Sequence, residues 1–268
     1  MSYRQILVLA ILFYVQSSIA QEYSEAIEDN SFFIEEAINQ EDHVVQHISN
    51  GYFQPTTHEF LYAFTQEWPV GGQTHQLSYT MAFQTLESHQ SGIGDLLLNY
   101  RFQLFDRTDW AWVAPRLSLI LPTGRSSAGL GSGVVGIQCN LPVSKRVTEL
   151  LYVHLNAGFT VLPKVRSVID DGTTVHKSLT SYFAGASGIL LLTEHLNLLA
   201  EVLKISNALV SAQGRVVHIF QTIVSPGVRA AIDAGSLQIV PGVAIPVSLT
   251  ASGSSTNIYA YLSFEHPF

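Results

Sequence analysis

The stretch TNIYAYLSFEHPF, Thr256–Phe268, decides the fold predicted for this chain. Successive side chains of a β-strand point to opposite faces of the sheet, so every second residue shares a face. One face carries the apolar residues Ile258, Ala260, Leu262, Phe264 and Phe268. The other face carries the polar or hydroxyl-bearing residues Asn257, Tyr259, Tyr261, Ser263 and Glu265. The stretch is therefore predicted to be one strand with an apolar side and a polar side.

This strand ends on an aromatic residue at the end of the chain. In that respect it resembles the C-terminal targeting strand of outer-membrane β-barrel proteins, although His266 and Pro267 depart from the pattern. The resemblance implies that Phe264 and Phe268 are targeting residues and that the barrel-assembly machinery is a partner. An edge strand of a soluble β-sandwich has the same two-faced pattern, so the rest of the chain has to distinguish the two.

Composition favours a membrane protein without spanning helices. Only 13% of the 268 residues are charged, against roughly 25% in soluble domains, while 47% are hydrophobic. After the N-terminus, no stretch offers the about 18 unbroken apolar residues that a transmembrane helix needs. The net charge of −8 argues against a nucleic-acid partner, which requires basic patches. The single cysteine, Cys139, excludes an internal disulfide and a multi-cysteine metal site.

The N-terminus, Met1–Ala20, has the features of a secretory signal peptide. Arg4 supplies the positive start, Ile6–Val15 the apolar run, and Ser18–Ala20 a small-x-small cleavage site. The apolar run is too short to cross a bilayer. We therefore expect export, a mature protein that begins at Gln21, and location in the cell outer membrane.

Residues 21–43 form an acidic, polar leader with a short amphipathic piece. The piece, Asn30–Gln40, is predicted to be a helix that Asn30 or Ser31 caps. Its acidic residues fall in the early turns, where the helix dipole favours negative charge. A helix in the barrel mouth, a periplasmic stub and a solvated leader are all compatible with this pattern.

Residues 44–268 consist of alternating segments separated by turn residues. The alternation is clearest in Gln76–Gln84, Asp95–Leu104, Trp110–Leu121 and Leu151–Val161. It also covers His58–Trp68, Val134–Val143, Leu179–Leu192, Leu196–Ile205, Ile219–Ala230, Leu237–Thr250 and, least clearly, Val44–Phe53. Each segment is close to the about 9–11 residues with which a tilted strand crosses a membrane. The prediction is an all-β protein: a transmembrane antiparallel up-and-down β-barrel of about 12 strands, preceded by the short amphipathic helix.

Two further features support the barrel over a soluble sandwich. The polar faces carry mainly Ser, Thr, Asn and Gln rather than Lys and Glu, which suits a shared wet interior. The connectors also alternate between short turns, expected in the periplasm, and longer outer loops, of which Pro122–Gly133 and Pro163–Ser178 are the longest.

The segment Gly92–Gly124 carries a second resemblance. Its motifs are Gly92-Ile93-Gly94-Asp95 and Leu121-Pro122-Thr123-Gly124, and the later Gly129–Gly133 and Tyr152–Phe159 also fit. It resembles the outer-membrane transporter family labelled as meta-pathway phenol-degradation proteins, and Asp29–Ile48 looks like the N-terminus of one branch. The resemblance implies uptake of small, often aromatic or apolar compounds. No matched residue is a known ligand contact, so the solute does not carry over.

Charged and histidine side chains on the predicted inward faces mark candidate lumen and constriction sites. They are Asp95, Arg101, Arg116, His154, Glu201, Arg229 and Glu265. A salt-bridge network that fills a narrow barrel and a charge ladder along a conducting pore both explain them. Arg101 and Arg116 are predicted to face Asp95 from neighbouring strands and to set the constriction.

The function predicted from these observations is a passive outer-membrane channel for small hydrophobic or aromatic solutes, surrounded by outer-membrane lipid. A non-conducting barrel that serves structure or adhesion through its outer loops is the alternative. A lipid hydrolase is a remote one: His154 and Asn156 share a face, but no serine has a suitable spacing for a nucleophile. We expect no catalytic, cofactor-binding or metal-binding residues.

Overall fold

A computed structural model describes residues 31–106, 110–235 and 237–268, so the predicted signal peptide and the first ten residues of the leader, 21–30, lie outside the described residues. Within these ranges the chain is all-β, with one 3-10 turn at Ser126–Ala128. Twelve antiparallel strands pair in chain order, and the last strand pairs with the first. The sheet is therefore a closed barrel without a free edge, as predicted.

The first six strands are β1 (Val44–Gln54), β2 (Glu59–Pro69), β3 (His75–Thr85), β4 (Ser91–Ile93 and Leu96–Phe102), β5 (Trp112–Val113 and Arg116–Leu121) and β6 (Gly136–Thr148). The other six are β7 (Leu151–Val168), β8 (Thr174–Thr193), β9 (Leu196–Val210), β10 (Val216–Ala230, continued by Ile232–Ala234), β11 (Leu237–Ala244 and Val247–Thr250) and β12 (Gly253–Thr256 and Ile258–Pro267).

The two faces of the barrel wall differ in polarity. In β12, Tyr259, Tyr261 and Ser263 are buried inside the barrel, whereas Ile258 and Leu262 are exposed on the outside. The same alternation exposes large apolar side chains around the outer surface, and buries polar ones inside. An apolar exterior around a polar interior is the arrangement of a transmembrane barrel. Among the described residues, no helix is long and apolar enough to cross a bilayer.

Strand β1, the least clear in the sequence, closes the barrel. It pairs along its length with β12 on one side, from Val44 opposite Pro267 to Phe53 opposite Ile258. On the other side it pairs with β2. Hydrogen bonds to two neighbours therefore stabilise a segment whose own alternation is weak.

The two ends of the barrel carry different connections. The chain enters β1 and leaves β12 at one end, named here the turn end, where the β6–β7 and β8–β9 connections have two residues each. The opposite end, named the loop end, carries the long β5–β6 loop.

The prediction of a long loop at Pro163–Ser178 is wrong. Strands β7 and β8 continue through it, with Val168 pairing with Thr174 across a short turn. The strands have 18 and 20 residues, more than the about 9–11 that cross a membrane, so their hairpin projects beyond the bilayer at the loop end. The register shifts between Lys177 and Leu179, opposite Pro163. A bulge tolerates a proline, which has no N–H to donate.

Candidate functional site

Residues Ser31–Gln40, named here the inner segment, lie inside the barrel. Ile34, Ala37 and Asn39 are almost completely buried. At one extremity the Asn39 side chain donates to the Thr74 carbonyl in the β2–β3 turn, which places it at the turn end. At the other, the hydroxyl of Ser31 bonds that of Ser187 on β8 at 2.5 Å.

Side chains of the barrel wall accept hydrogen bonds from the backbone N–H groups of the inner segment. The pairs, with the segment residue first, are Phe33 and Ile34 with Glu201, Glu35 with Asn156, Ala37 with Ser144, Asn39 with Gln103, and Gln40 with Gln76, at 2.6–3.2 Å. Backbone donors that enter a polar interior must find such partners.

Wall side chains also donate to the backbone carbonyl groups of the inner segment. The pairs, again with the segment residue first, are Phe32 with Tyr259, Glu35 with Asn156, Glu36 and Ile38 with Arg101, Ala37 with Gln103, and Asn39 with Gln73, at 2.6–3.2 Å. The described part of the predicted helix, Ser31–Gln40, is not helical. Because the wall satisfies its backbone groups, a helical hydrogen-bond ladder is not needed there.

Phe32 anchors the inner segment in an aromatic pocket. Its ring centroid lies 5.3 Å from that of Tyr259 and 5.5 Å from that of Tyr261. A Cβ atom on Gly227 or Gly242 would overlap the Phe32 ring. These two wall positions therefore require glycine for the ring to reach the wall.

Arg101 on β4 and Arg116 on β5 lie directly opposite each other on neighbouring strands. Arg116 forms an ion pair with Glu35 of the inner segment, with 2.6 Å between Nη2 and Oε1. Asp95 does not join them: its carboxylate accepts the N–H groups of Gly124 and Ser132 in the β5–β6 loop. It lies near the loop end, in the break between the two segments of β4, six residues or roughly 20 Å along the strand from Arg101. The expectation that Asp95 faces the two arginines is therefore wrong.

The remaining predicted lumen residues lie around the inner segment. Glu201 accepts its backbone N–H groups, and Arg229 is buried within electrostatic range of both Glu201 and His154. Glu265 accepts a hydrogen bond from the Gln40 side chain at 2.9 Å.

Ser144 and His154 form a pair that the sequence analysis missed. They are directly opposite on β6 and β7, with 2.6 Å between Oγ and Nδ1. Counting back from the β6–β7 turn would have paired His154 with Lys145, because a register shift between Arg146 and Thr148 offsets the two strands by one residue, so no signal in the sequence could have found the pair. Both are fully buried, Ser144 accepts the Ala37 N–H, and Nε2 of His154 has no hydrogen-bond partner among the described atoms. The pair thus lacks both access for a substrate and a group that orients the imidazole.

A cavity of about 250 Å³ remains between the inner segment and the wall formed by β1–β6 and β12. Its polar lining comes from Asn50, Thr65, Glu67, Thr80, Asn99, Gln138 and the two arginines, and its aromatic lining from Phe32, Phe33 and Tyr261. Two of the predicted constriction residues, Arg101 and Arg116, line this cavity. Within the described ranges, no group of three or more His, Cys, Asp or Glu side chains is placed to hold a metal ion.

The β5–β6 loop folds onto the loop end of the barrel. Leu130 is almost completely buried, and its carbonyl accepts a hydrogen bond from the inward-facing Gln84 side chain at 2.9 Å. A Cβ on Gly131 would overlap both the Asp95 carboxylate and the backbone of Gly124. The glycines of this loop therefore allow its two sides to pack closely against each other, and the Asp95 carboxylate holds them together.

Comparisons with known proteins agree with this architecture. No protein-family model matches the chain, and no curated protein matches its sequence. The COG4313 outer membrane channel from Pseudomonas putida F1 is similar in structure, with a TM-score of 0.61 and 11% identity over 87% of this chain and 98% of that one. The NanC porin in a rhombohedral crystal form is similar with a TM-score of 0.56 and 6% identity, over 83% of this chain and 100% of that one. At these identities the likeness shows a shared β-barrel fold.

Proposed function

We propose that the chain is an outer-membrane channel through which small solutes pass by passive diffusion. The observation that carries the proposal is the cavity of about 250 Å³ inside a closed barrel with a polar interior. The two similar structures support it, because their names describe an outer-membrane channel and a porin. The motifs around Gly92–Gly124 add support for membership of the phenol-degradation transporter family.

The inner segment is the constriction of this channel. It occupies the lumen beside the cavity, so a solute passes only where the segment moves or leaves room. The cavity combines aromatic rings with charged and amide side chains. The solutes that fit are small molecules with an aromatic or apolar body and at least one polar group. The sequence predicts small hydrophobic or aromatic solutes, and the lining of the cavity adds the requirement for a polar group.

Export and assembly follow from the two ends of the chain. Met1–Ala20 directs secretion, and the strand that ends in Phe268 is recognised by the barrel-assembly machinery. Phe264 projects outward and stacks on His47 of β1, with 4.6 Å between ring centroids, while Phe268 is 66% exposed. The barrel-assembly machinery therefore binds these two side chains of the last strand before the barrel closes.

Conductance in planar bilayers tests the proposed function. Phe32→Ala removes the aromatic anchor of the inner segment, and we expect a roughly tenfold or greater rise in the time-averaged conductance. Phe159→Ala is the matched control, because that ring lies on the outward, apolar face of β7 and should leave conductance unchanged. Membranes that stay silent with both the natural chain and Phe32→Ala would contradict the channel.

A non-conducting structural barrel is the second candidate. The filled lumen and the β7–β8 hairpin that projects beyond the bilayer favour it. It predicts that Phe32→Ala changes stability without opening a current, so the same experiment separates the two functions. The lipid-hydrolase alternative is not proposed, since Ser144 and His154 are buried beneath the inner segment.

A further inference from the structure

The Arg116 guanidinium is held in place by the wall of the barrel. Its Nη1 donates to Asn99 at 3.0 Å and to Ser118 at 2.9 Å, and its Nη2 donates to Gln138 at 2.9 Å. All three partners are neutral side chains on rigid strands. Arg116 is therefore preorganised, with its position independent of the inner segment.

The acidic partner of Arg116 comes from the inner segment. Glu35 Oε1 lies 2.6 Å from Nη2, and the Glu35 side chain is 32% exposed while that of Arg116 is 13% exposed. A planar guanidinium is suited to bind any carboxylate, whichever molecule carries it. The ion pair thus joins an arginine that the wall holds in place to a carboxylate that the inner segment carries.

The cavity of about 250 Å³ adjoins this ion pair, since both Glu35 and Arg116 line it. Its volume equals that of about eight water molecules, which is enough for a small organic molecule. Phe33 and Tyr261 line the same space and offer apolar ring surface near the charged group. A ligand that suits this site has a carboxylate at one end and a compact aromatic body.

We propose that Arg116 is the solute-binding residue of the channel and that it takes small aromatic carboxylates, with Glu35 occupying the site when solute is absent. This inference rests on the proposed channel function and names its solute class. A carboxylate that binds Arg116 displaces Glu35, and the inner segment loses one of its contacts with the wall. By linkage, displacement of the segment also strengthens solute binding.

Benzoate is the probe, and benzyl alcohol is its neutral counterpart of similar shape. Binding to the purified full chain in detergent is measured by calorimetry, and conductance in bilayers is measured as a function of probe concentration. We expect benzoate to bind and to raise conductance, and benzyl alcohol to do neither. Glu35→Gln removes the internal competitor and should lower the half-saturating benzoate concentration about tenfold. Equal responses to benzoate and benzyl alcohol would overturn the proposal.

Arg116→Gln should abolish benzoate binding, and Arg116→Lys should retain part of it. Arg125→Gln, on the exposed β5–β6 loop, controls for the loss of one positive charge and should bind benzoate as the natural chain does. The shift in gel mobility on heating verifies that each variant forms a folded barrel. Benzoate binding to Arg116→Gln with unchanged affinity would refute the assignment. If Phe32→Ala conducts but benzoate does not bind, this inference fails alone; if the natural chain and Phe32→Ala are both silent, the channel itself fails.

Discussion

Arg101 shows how single side chains hold the inner segment. Its guanidinium donates to the carbonyls of Glu36 and Ile38 and to the side chain of Asn39. Hydrogen bonds from a charged donor contribute about 1.5–3 kcal/mol each, although the contributions are not additive. One arginine thus fixes about four residues of backbone near the turn end.

Arg101→Gln is expected to open the channel and change its ion selectivity. The inner segment loses its charged donor, so the time-averaged conductance should rise about tenfold. The lumen also loses one positive charge, so the reversal potential in a salt gradient should shift towards cation selectivity. Arg166→Gln on the exposed β7–β8 hairpin is the control. Unchanged conductance and reversal potential would remove Arg101 from the pore.

At the scale of elements, the β5–β6 loop depends on one carboxylate. Asp95 accepts the backbone N–H groups of Gly124 and Ser132, at 3.0 and 2.7 Å, and thereby fastens both sides of the loop. The loop also contains Arg125, an exposed site for trypsin. Local opening of such a loop governs how fast a protease cuts it.

Asp95→Ala should therefore speed tryptic cleavage after Arg125 about tenfold or more in the folded barrel. Two charge-assisted hydrogen bonds are lost, and each contributes on the order of 1 kcal/mol or more. Asp171→Ala, at the tip of the β7–β8 hairpin, is the matched control and should leave cleavage at Arg125 unchanged. Equal cleavage rates for the two variants would show that Asp95 does not fasten the loop.

The last strand makes a prediction about assembly rather than stability. The Phe268 ring is exposed and its backbone N–H donates to the His43 carbonyl at 2.9 Å, so its deletion removes little packing. Deleting Phe268 should leave the unfolding temperature in detergent nearly unchanged but reduce the amount of folded barrel in the outer membrane several-fold. Quantitative gels with and without heating measure both. Normal assembly of the shortened chain would exclude Phe268 as a targeting residue.

At the scale of the whole molecule, alternation along the chain was enough to predict the barrel. Period-two segments such as Leu151–Val161 and Leu196–Ile205 lie within strands, because one face meets lipid and the other the interior. The length of β7 and β8 was not predictable in this way: outside the membrane no apolar face is required, and only pairing between neighbours maintains the strands.

The lumen was predicted only in part. Inward-facing charges such as Arg116 and Glu201 follow from alternation, which fixes the face of each residue. Their partners do not, because hydrogen bonds between the wall and the inner segment join residues as far apart as Phe33 and Glu201. The amphipathic pattern of Asn30–Gln40 predicts a helix, and for the described residues 31–40 that prediction is wrong. No local signal in the sequence shows that side chains of the wall will satisfy the backbone groups of this segment.

The central claim is that the inner segment occupies the lumen of a conducting barrel. A disulfide tests it most directly, because the hydroxyl oxygens of Ser31 and Ser187 are 2.5 Å apart, so cysteines at these two positions place their sulfur atoms next to each other. The measurement is the conductance of Ser31→Cys/Ser187→Cys, with Cys139→Ser, under oxidation and then reduction. We predict that the crosslink forms in the folded protein, lowers conductance at least tenfold and is reversed by reductant. A folded barrel that does not crosslink, or whose conductance is unaffected by the crosslink, would contradict the account.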